Sequence, residues 1–203
     1  MSRSKTFYNI AILGNSNIGK TSFLLCLNGN QFSENQISTI GIDSFILEKN
    51  DKNNNKVYLK LHDTSGQEMY RSLSLNLLKR INAIIFFYDI TKEKTFSDIK
   101  DDWFQKCKDV INLNDILIIL IGNKTDLESE RSVSYEEAEN FAKKNNMEFF
   151  EISVKTNNNV QEVVYSLTNN LVQKFGYKGE TEKTNENLKI SSTKVKKKKK
   201  LLC

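Results

Sequence analysis

The sequence predicts a doubly wound, mostly parallel α/β sheet with helices on both faces, followed by a flexible tail. Apolar runs that suit strands buried on both faces, Ala83 to Tyr88 and Ile116 to Ile121, alternate with stretches of helical periodicity. Gly14 to Thr21, which reads Gly-Asn-Ser-Asn-Ile-Gly-Lys-Thr, lies between a strand pattern and a helix pattern. From Tyr177 onward apolar residues almost vanish, so that segment cannot bury enough surface to order itself. The expected division is a folded domain over 1–176 and a tail over 177–203.

Composition narrows the function classes. A chain of 203 residues with 38% hydrophobic and 27% charged residues accommodates one ordinary globular domain and some length beyond it. The net charge of +5 is unevenly placed: nine Lys against three Glu from Gly176 onward leave 21 basic against 22 acidic residues before it. A nearly neutral domain argues against a nucleic-acid surface, and the basic tail points to an anionic one. Cys26, Cys107 and Cys203 show neither paired spacing nor a metal pattern, which fits a reducing compartment. No stretch reaches the roughly 18 to 20 apolar residues of a membrane span, and Met1 to Thr6 leads into a strand, not a signal sequence. A cytoplasmic protein is expected.

Taken in order, Phe7 to Leu13 reads as the first strand, and Ser22 to Leu27 carries the apolar residues of the first helix. Gln31 to Thr39 is a polar loop long enough to cross a bound nucleotide. Ile40 to Glu48 and Val57 to His62 form a hairpin, with Lys49 to Lys56 as its polar turn, and the second strand delivers Asp63 at its carboxyl end. A helical segment, Met69 to Lys79, precedes the buried strand Ala83 to Tyr88. Phe96, Ile99, Trp103, Cys107 and Val110 then fall at the spacing of one helix. The strand Ile116 to Ile121 runs into Gly122 to Asp126. Tyr135, Ala138, Phe141 and Ala142 mark a helix, Glu148 to Ile152 a last strand, and Val160 to Phe175 a last helix closed by Gly176.

Four clusters carry chemistry. The spacing Gly-x-x-x-x-Gly-Lys-Thr suits a turn whose N–H groups point at phosphate oxygens, so Asn15, Ser16, Asn17, Ile18, Gly19, Lys20, Thr21 and Ser22 are candidate phosphate-binding residues. Lys20 would reach the β- and γ-phosphates, and the Thr21 hydroxyl would meet Mg²⁺. Asp63 can hold Mg²⁺ through a water. Gly66 leaves an N–H for a γ-phosphate, and Gln67 offers the donor and acceptor that orient an attacking water. In Asn123-Lys124-Thr125-Asp126, the Asp126 carboxylate can accept two hydrogen bonds from N1–H and the N2 amine of guanine, an edge adenine lacks; an N-cap role is the alternative. Ser153-Val154-Lys155 would bring the Val154 N–H to the base O6, and Phe32 would stack on the base plane. His62, beside Asp63, reads as a strand histidine facing its neighbours and not as half of a catalytic pair.

With these motifs in this order and spacing, Phe7 to Phe175 resembles a Ras-superfamily small GTPase of the P-loop type, and most of all a Rab. The Rab-like segments are Ser38 to Asp43 and Phe86 to Thr91, continued by Lys92 to Phe96. The resemblance implies a G-domain that takes GTP and GDP with Mg²⁺, and a first switch loop in which Thr39 completes the Mg²⁺ shell when the γ-phosphate is present. A second switch would begin at Asp63 to Gln67, and both would relax on hydrolysis. Ser44 stands where Rabs usually have Phe, and His62 where they have Trp, on the surface that Rab effectors and regulators commonly read. Ser65 replaces Ala, Met69 replaces Arg, Leu77 to Arg80 replace Tyr-Tyr-Arg-Gly, and Val154 replaces the usual Ala.

By the same resemblance the partners are an exchange factor, a GTPase-activating protein, effectors and a prenyl-binding chaperone, and the chain is expected to be a monomer. Lys194 and Lys196 to Lys200 lead to Leu201-Leu202-Cys203, without a C-a-a-X box or the double cysteine typical of Rabs. A single lipid on Cys203 together with the lysines would supply two complementary membrane signals. The expected protein is thus a GTP-hydrolysing switch of vesicle traffic, peripheral on the cytosolic face of an intracellular membrane, with Lys20, Thr39 and Gln67 serving hydrolysis. Its rivals are a GTP-binding module without useful turnover, suggested by Asn17 and Ser65 where the family has small residues, and an ATP-dependent enzyme.

Overall fold

A computed structural model describes residues 5–29, 42–64, 78–177 and 179–180. The predicted loop Gln31 to Thr39 and nearly all of the predicted helix Met69 to Lys79 lie outside them, as do Phe32, Thr39, Ser65, Gly66, Gln67 and Cys203.

The described strands are β1 (Lys5–Leu13), β2 (Ile42–Asn50), β3 (Lys56–Thr64), β4 (Ala83–Asp89), β5 (Leu117–Asn123), β6 (Glu148–Ile152) and β7 (Gly179–Glu180). The main sheet runs in the order β2-β3-β1-β4-β5-β6. Every pairing along that path is parallel except β2 with β3. The chain leaves β1 for one side of the sheet and returns to β4 on the other, so the order reverses at β1. Open α/β sheets bind ligands outside the carboxyl ends of their strands at such a reversal.

Alternation along the strands divides the interior into two cores. Ile10, Ile12, Ile85 and Phe87 pack with α1 (Lys20–Leu27) and with α5, which spans Val160–Phe175, on one face. Ala11, Leu13, Ile84 and Phe86 pack on the other face. Their partners there are α2 (Glu93–Asp98), α3 (Phe104–Val110) and α4 (Tyr135–Lys144). Every residue of β4 is buried, as an unbroken apolar run between two helical layers requires.

The structure adjusts three expectations. The single helix anticipated around Trp103 is α2 and α3 joined by a π turn, Ile99–Trp103. Trp103, the last residue of that turn, and Phe104, the first of α3, are both buried. The hairpin strands run longer than predicted, pairing out to Asn50 and Lys56. Polar character did not mark their ends, because the turn is closed by Asp51, whose buried carboxylate accepts from the N–H groups of Asn53 at 2.9 Å and Asn55 at 2.8 Å. Past Gly176, the Tyr177 hydroxyl donates to Asp51 and accepts from Asn55 Nδ2 at 2.8 Å, and β7 pairs antiparallel with Lys5 and Thr6.

Candidate functional site

The carboxyl ends of β1, β3, β5 and β6 face one edge of the sheet and bring together Gly14 to Ser22, Asp63, Asn123 to Asp126 and Ser153 to Lys155. The loop after β1 owes its path to two glycines. Gly14 has φ +139°, and a Cβ there would sit 2.3 Å from the carbonyl oxygen of Phe87. Gly19 has φ +99°, and a Cβ there would meet Asn123 Nδ2 at 2.3 Å. Between them Asn17 takes φ +61°, which asparagine tolerates better than most residues, and Ile18 plugs the loop into the core. Gly19 then caps α1 without a side-chain hydrogen bond.

Lys20, only 5% exposed, donates from Nζ to the carbonyl oxygens of Gly14 at 2.9 Å and Asn15 at 2.6 Å. Burial lowers its pKa to about 8, against the opposing pull of the Asp63 carboxylate. Thr21 Oγ1 donates to Asp63 Oδ2 at 2.6 Å. The two oxygens predicted to face one cation thus meet, although they come from α1 and β3. A hydroxyl and a carboxylate form an all-oxygen set of the kind a hard divalent cation prefers.

On the base side, Asn123 spans two loops. Its Nδ2 donates to the Ile18 carbonyl at 2.8 Å, and its Oδ1 accepts from the Val154 N–H at 3.2 Å. That N–H, expected to point at a base oxygen, is directed at Asn123 here. Ser153 Oγ donates to Asp126 Oδ1 at 2.6 Å and accepts from the Thr156 N–H at 3.1 Å, while the Asp126 residue is exposed. Lys124, at φ +75°, pairs with the buried Asp89 at the end of β4 at 2.6 Å.

His62 is placed as the sequence suggested. It is buried, with Nδ1 2.9 Å from Ser44 Oγ and Nε2 3.4 Å from Asn9 Oδ1, and burial, helped by the charge of Lys60, lowers its pKa. Ser44 and His62 are register partners across β2 and β3, so these two departures from the family form one polar pair.

Two supports escaped the sequence. Arg131 forks its guanidinium onto Glu151 at 2.6 and 2.7 Å and onto Glu128 at 2.7 Å, tying the segment after Asp126 to β6. Only the i, i+3 spacing of Glu128 and Arg131 hinted at half of it. Asn15 Nδ2 donates to Asp98 Oδ2 at 2.7 Å, a contact across 83 residues that no local pattern announces.

The family model of the Ras family matches residues 9–173. Ras-related protein Rab-3C of Bos taurus is 35% identical over 86% of this chain and 76% of its own length. Ras-related protein Rab-1 of Theileria parva is 35% identical over 82% and 75%, and Ras-related protein Rab-3A of Homo sapiens 36% identical over 83% and 75%. A match that runs from β1 into the last turn of α5, shared with relatives over about three quarters of their length, places the chain in the Ras family, among the Rab-like small GTPases that bind guanine nucleotide and hydrolyse GTP.

Proposed function

We propose that the protein is a GTP-driven switch of vesicle traffic, slow in hydrolysis by itself and carried on the cytosolic face of an intracellular membrane by its tail. The observation that supports this most is the meeting of Lys20 and the Thr21–Asp63 pair with Asn123, Asp126 and Ser153 on one edge of the sheet. Phosphate chemistry and base recognition therefore lie within reach of one nucleotide.

In this reading the loop from Asn15 to Ser22 holds the phosphates through its backbone. Lys20, already aimed across the loop by two carbonyls, stays protonated beside a phosphate, because the anion offsets the burial that lowers its pKa. Thr21 and Asp63, with Thr39 from the first switch, would hold Mg²⁺; for this the Thr21 hydroxyl turns its proton away from Asp63. When bound, Mg²⁺ neutralises charge on the β- and γ-phosphate oxygens. Gln67 positions the attacking water, and Gly66 donates to the γ-phosphate. Asp126 selects guanine, with Ser153 fixing the carboxylate, while Lys124, Val154, Lys155 and Phe32 enclose the base. An activating protein that supplies an arginine would raise the rate by roughly 10³ to 10⁵.

Lys194 to Lys200 and a prenyl group on Cys203 would anchor the protein, each lysine contributing about 1 kcal/mol near an anionic leaflet. Exchange factors, effectors and a prenyl-binding chaperone complete the cycle of a monomer. Intact mass of the protein isolated from its own cells tests the lipid: a mass increase of one prenyl group is expected, and unmodified protein on membranes overturns it.

Hydrolysis is tested by single-turnover phosphate release from preloaded Mg²⁺·GTP. The parent is expected to turn over slowly and Gln67→Leu more slowly still. GTP that stays uncleaved in both would make the protein a switch that depends on a partner for turnover.

A further inference from the structure

The loop that aims Lys20 is itself held from outside. Lys20 Nζ rests on the carbonyls of Gly14 and Asn15, so the orientation of the Asn15 peptide sets where the ammonium points. The side chain of Asn15 reaches away from Lys20 to the last residue of α2, where its Nδ2 donates to Asp98 Oδ2 at 2.7 Å. The other Asp98 oxygen pairs with Lys94 at 2.5 Å. Burial raises the Asp98 pKa, but the hydrogen bonds from Lys94 and Asn15 outweigh it and leave the carboxyl lowered, hence ionised at neutral pH. Among the described residues, Asn15 Oδ1 is buried without a hydrogen-bond partner. An amide free to choose would turn that oxygen toward a donor; here the carboxylate dictates which end faces it.

We propose that Asp98, acting through Asn15, is a positioning residue for the phosphate lysine, anchoring the first turn of the cradle to α2. The sheet and Ile18 fix the loop at its two ends, and this bond fixes the peptide between them that carries the carbonyl beneath Lys20. The inference rests on the phosphate-cradle reading and adds to it a residue outside the sequence motif.

The test uses the full chain loaded with a fluorescent GDP and chased with unlabelled GDP. Stable loading of the parent establishes the cradle; a parent that binds no guanine nucleotide would overturn that reading first. Given loading, Asp98→Ala is expected to raise the GDP dissociation rate about tenfold, the scale of one charge-assisted hydrogen bond. GMP, which lacks the β-phosphate, should bind Asp98→Ala and parent alike. Asn15→Asp alone sets two carboxylates against each other and should dissociate faster than Asp98→Ala. The exchanged pair Asn15→Asp/Asp98→Asn restores an amide facing a carboxylate and should recover most of the lost retention. An unchanged rate in Asp98→Ala, equal losses for GMP and GDP, or an exchanged pair no better than Asn15→Asp alone would each overturn the proposal.

Discussion

At the scale of single residues, the site is built by backbone that only certain side chains permit. Gly19 combines a positive φ with a neighbour, Asn123 Nδ2, that already occupies the space of a Cβ. Gly19→Ala therefore strains the turn and pushes on the residue that ties the cradle to the base loops. A loss of about 2 kcal/mol in urea unfolding is expected, together with weaker GDP retention. An alanine variant as stable as the parent would show that the loop relaxes freely. The glycines, Lys20 and Thr21 were legible in the sequence because their spacing is local. Asp98 was not, because its partner is 83 residues away and nothing in either neighbourhood marks the pair. Asn123 and Val154 were each marked by their own clusters, but the hydrogen bond between them, across 31 residues, was not.

At the scale of elements, the sequence located what ends in a strong local signal. β6 and α5 begin and end where predicted, and Gly176, at a positive φ of +64° that favours glycine and with its N–H on the Val172 carbonyl at 2.9 Å, follows the last turn of α5. The π turn between α2 and α3 was hidden, because one inserted residue shifts the apolar register without interrupting it. Connections between elements are less readable still. Arg131 joins the segment after Asp126 to β6 through Glu151, which is 11% exposed, so truncating the arginine leaves that carboxylate with little solvent and no guanidinium. Arg131→Ala is expected to cost about 2 kcal/mol in denaturant unfolding. Arg131→Lys should recover less than half of that, since an ammonium lacks the planar fork that meets both glutamates. Full recovery by lysine would show that charge alone matters.

At the scale of the whole molecule, the two ends of the folded body are joined far from the nucleotide edge. Tyr8 on β1 is fully buried and donates its hydroxyl to the carbonyl of Gly176, just beyond α5, at 2.6 Å. Burial, and then the nearby Tyr177 and Asp51, raise its pKa from 10.0 to about 12. Between those values the unfolded chain has lost the Tyr8 proton while the folded protein keeps it, so alkali favours unfolding there. The contribution is complete below pH 10 and is lost as pH rises through about 12. Tyr8→Phe removes the bond and the titration together. At neutral pH it should cost about 1 kcal/mol, the usual worth of a buried hydrogen bond whose acceptor loses its donor. Between pH 10 and 12 the difference between variant and parent should shrink as the parent loses its advantage. Unfolding free energies across that range, read beside an ultraviolet tyrosinate titration, check both halves. A difference that stays constant with pH would mean that the hydroxyl bond to Gly176 holds α5 onto β1 without the raised pKa, and no difference at any pH would mean that Tyr8 acts by ring packing alone.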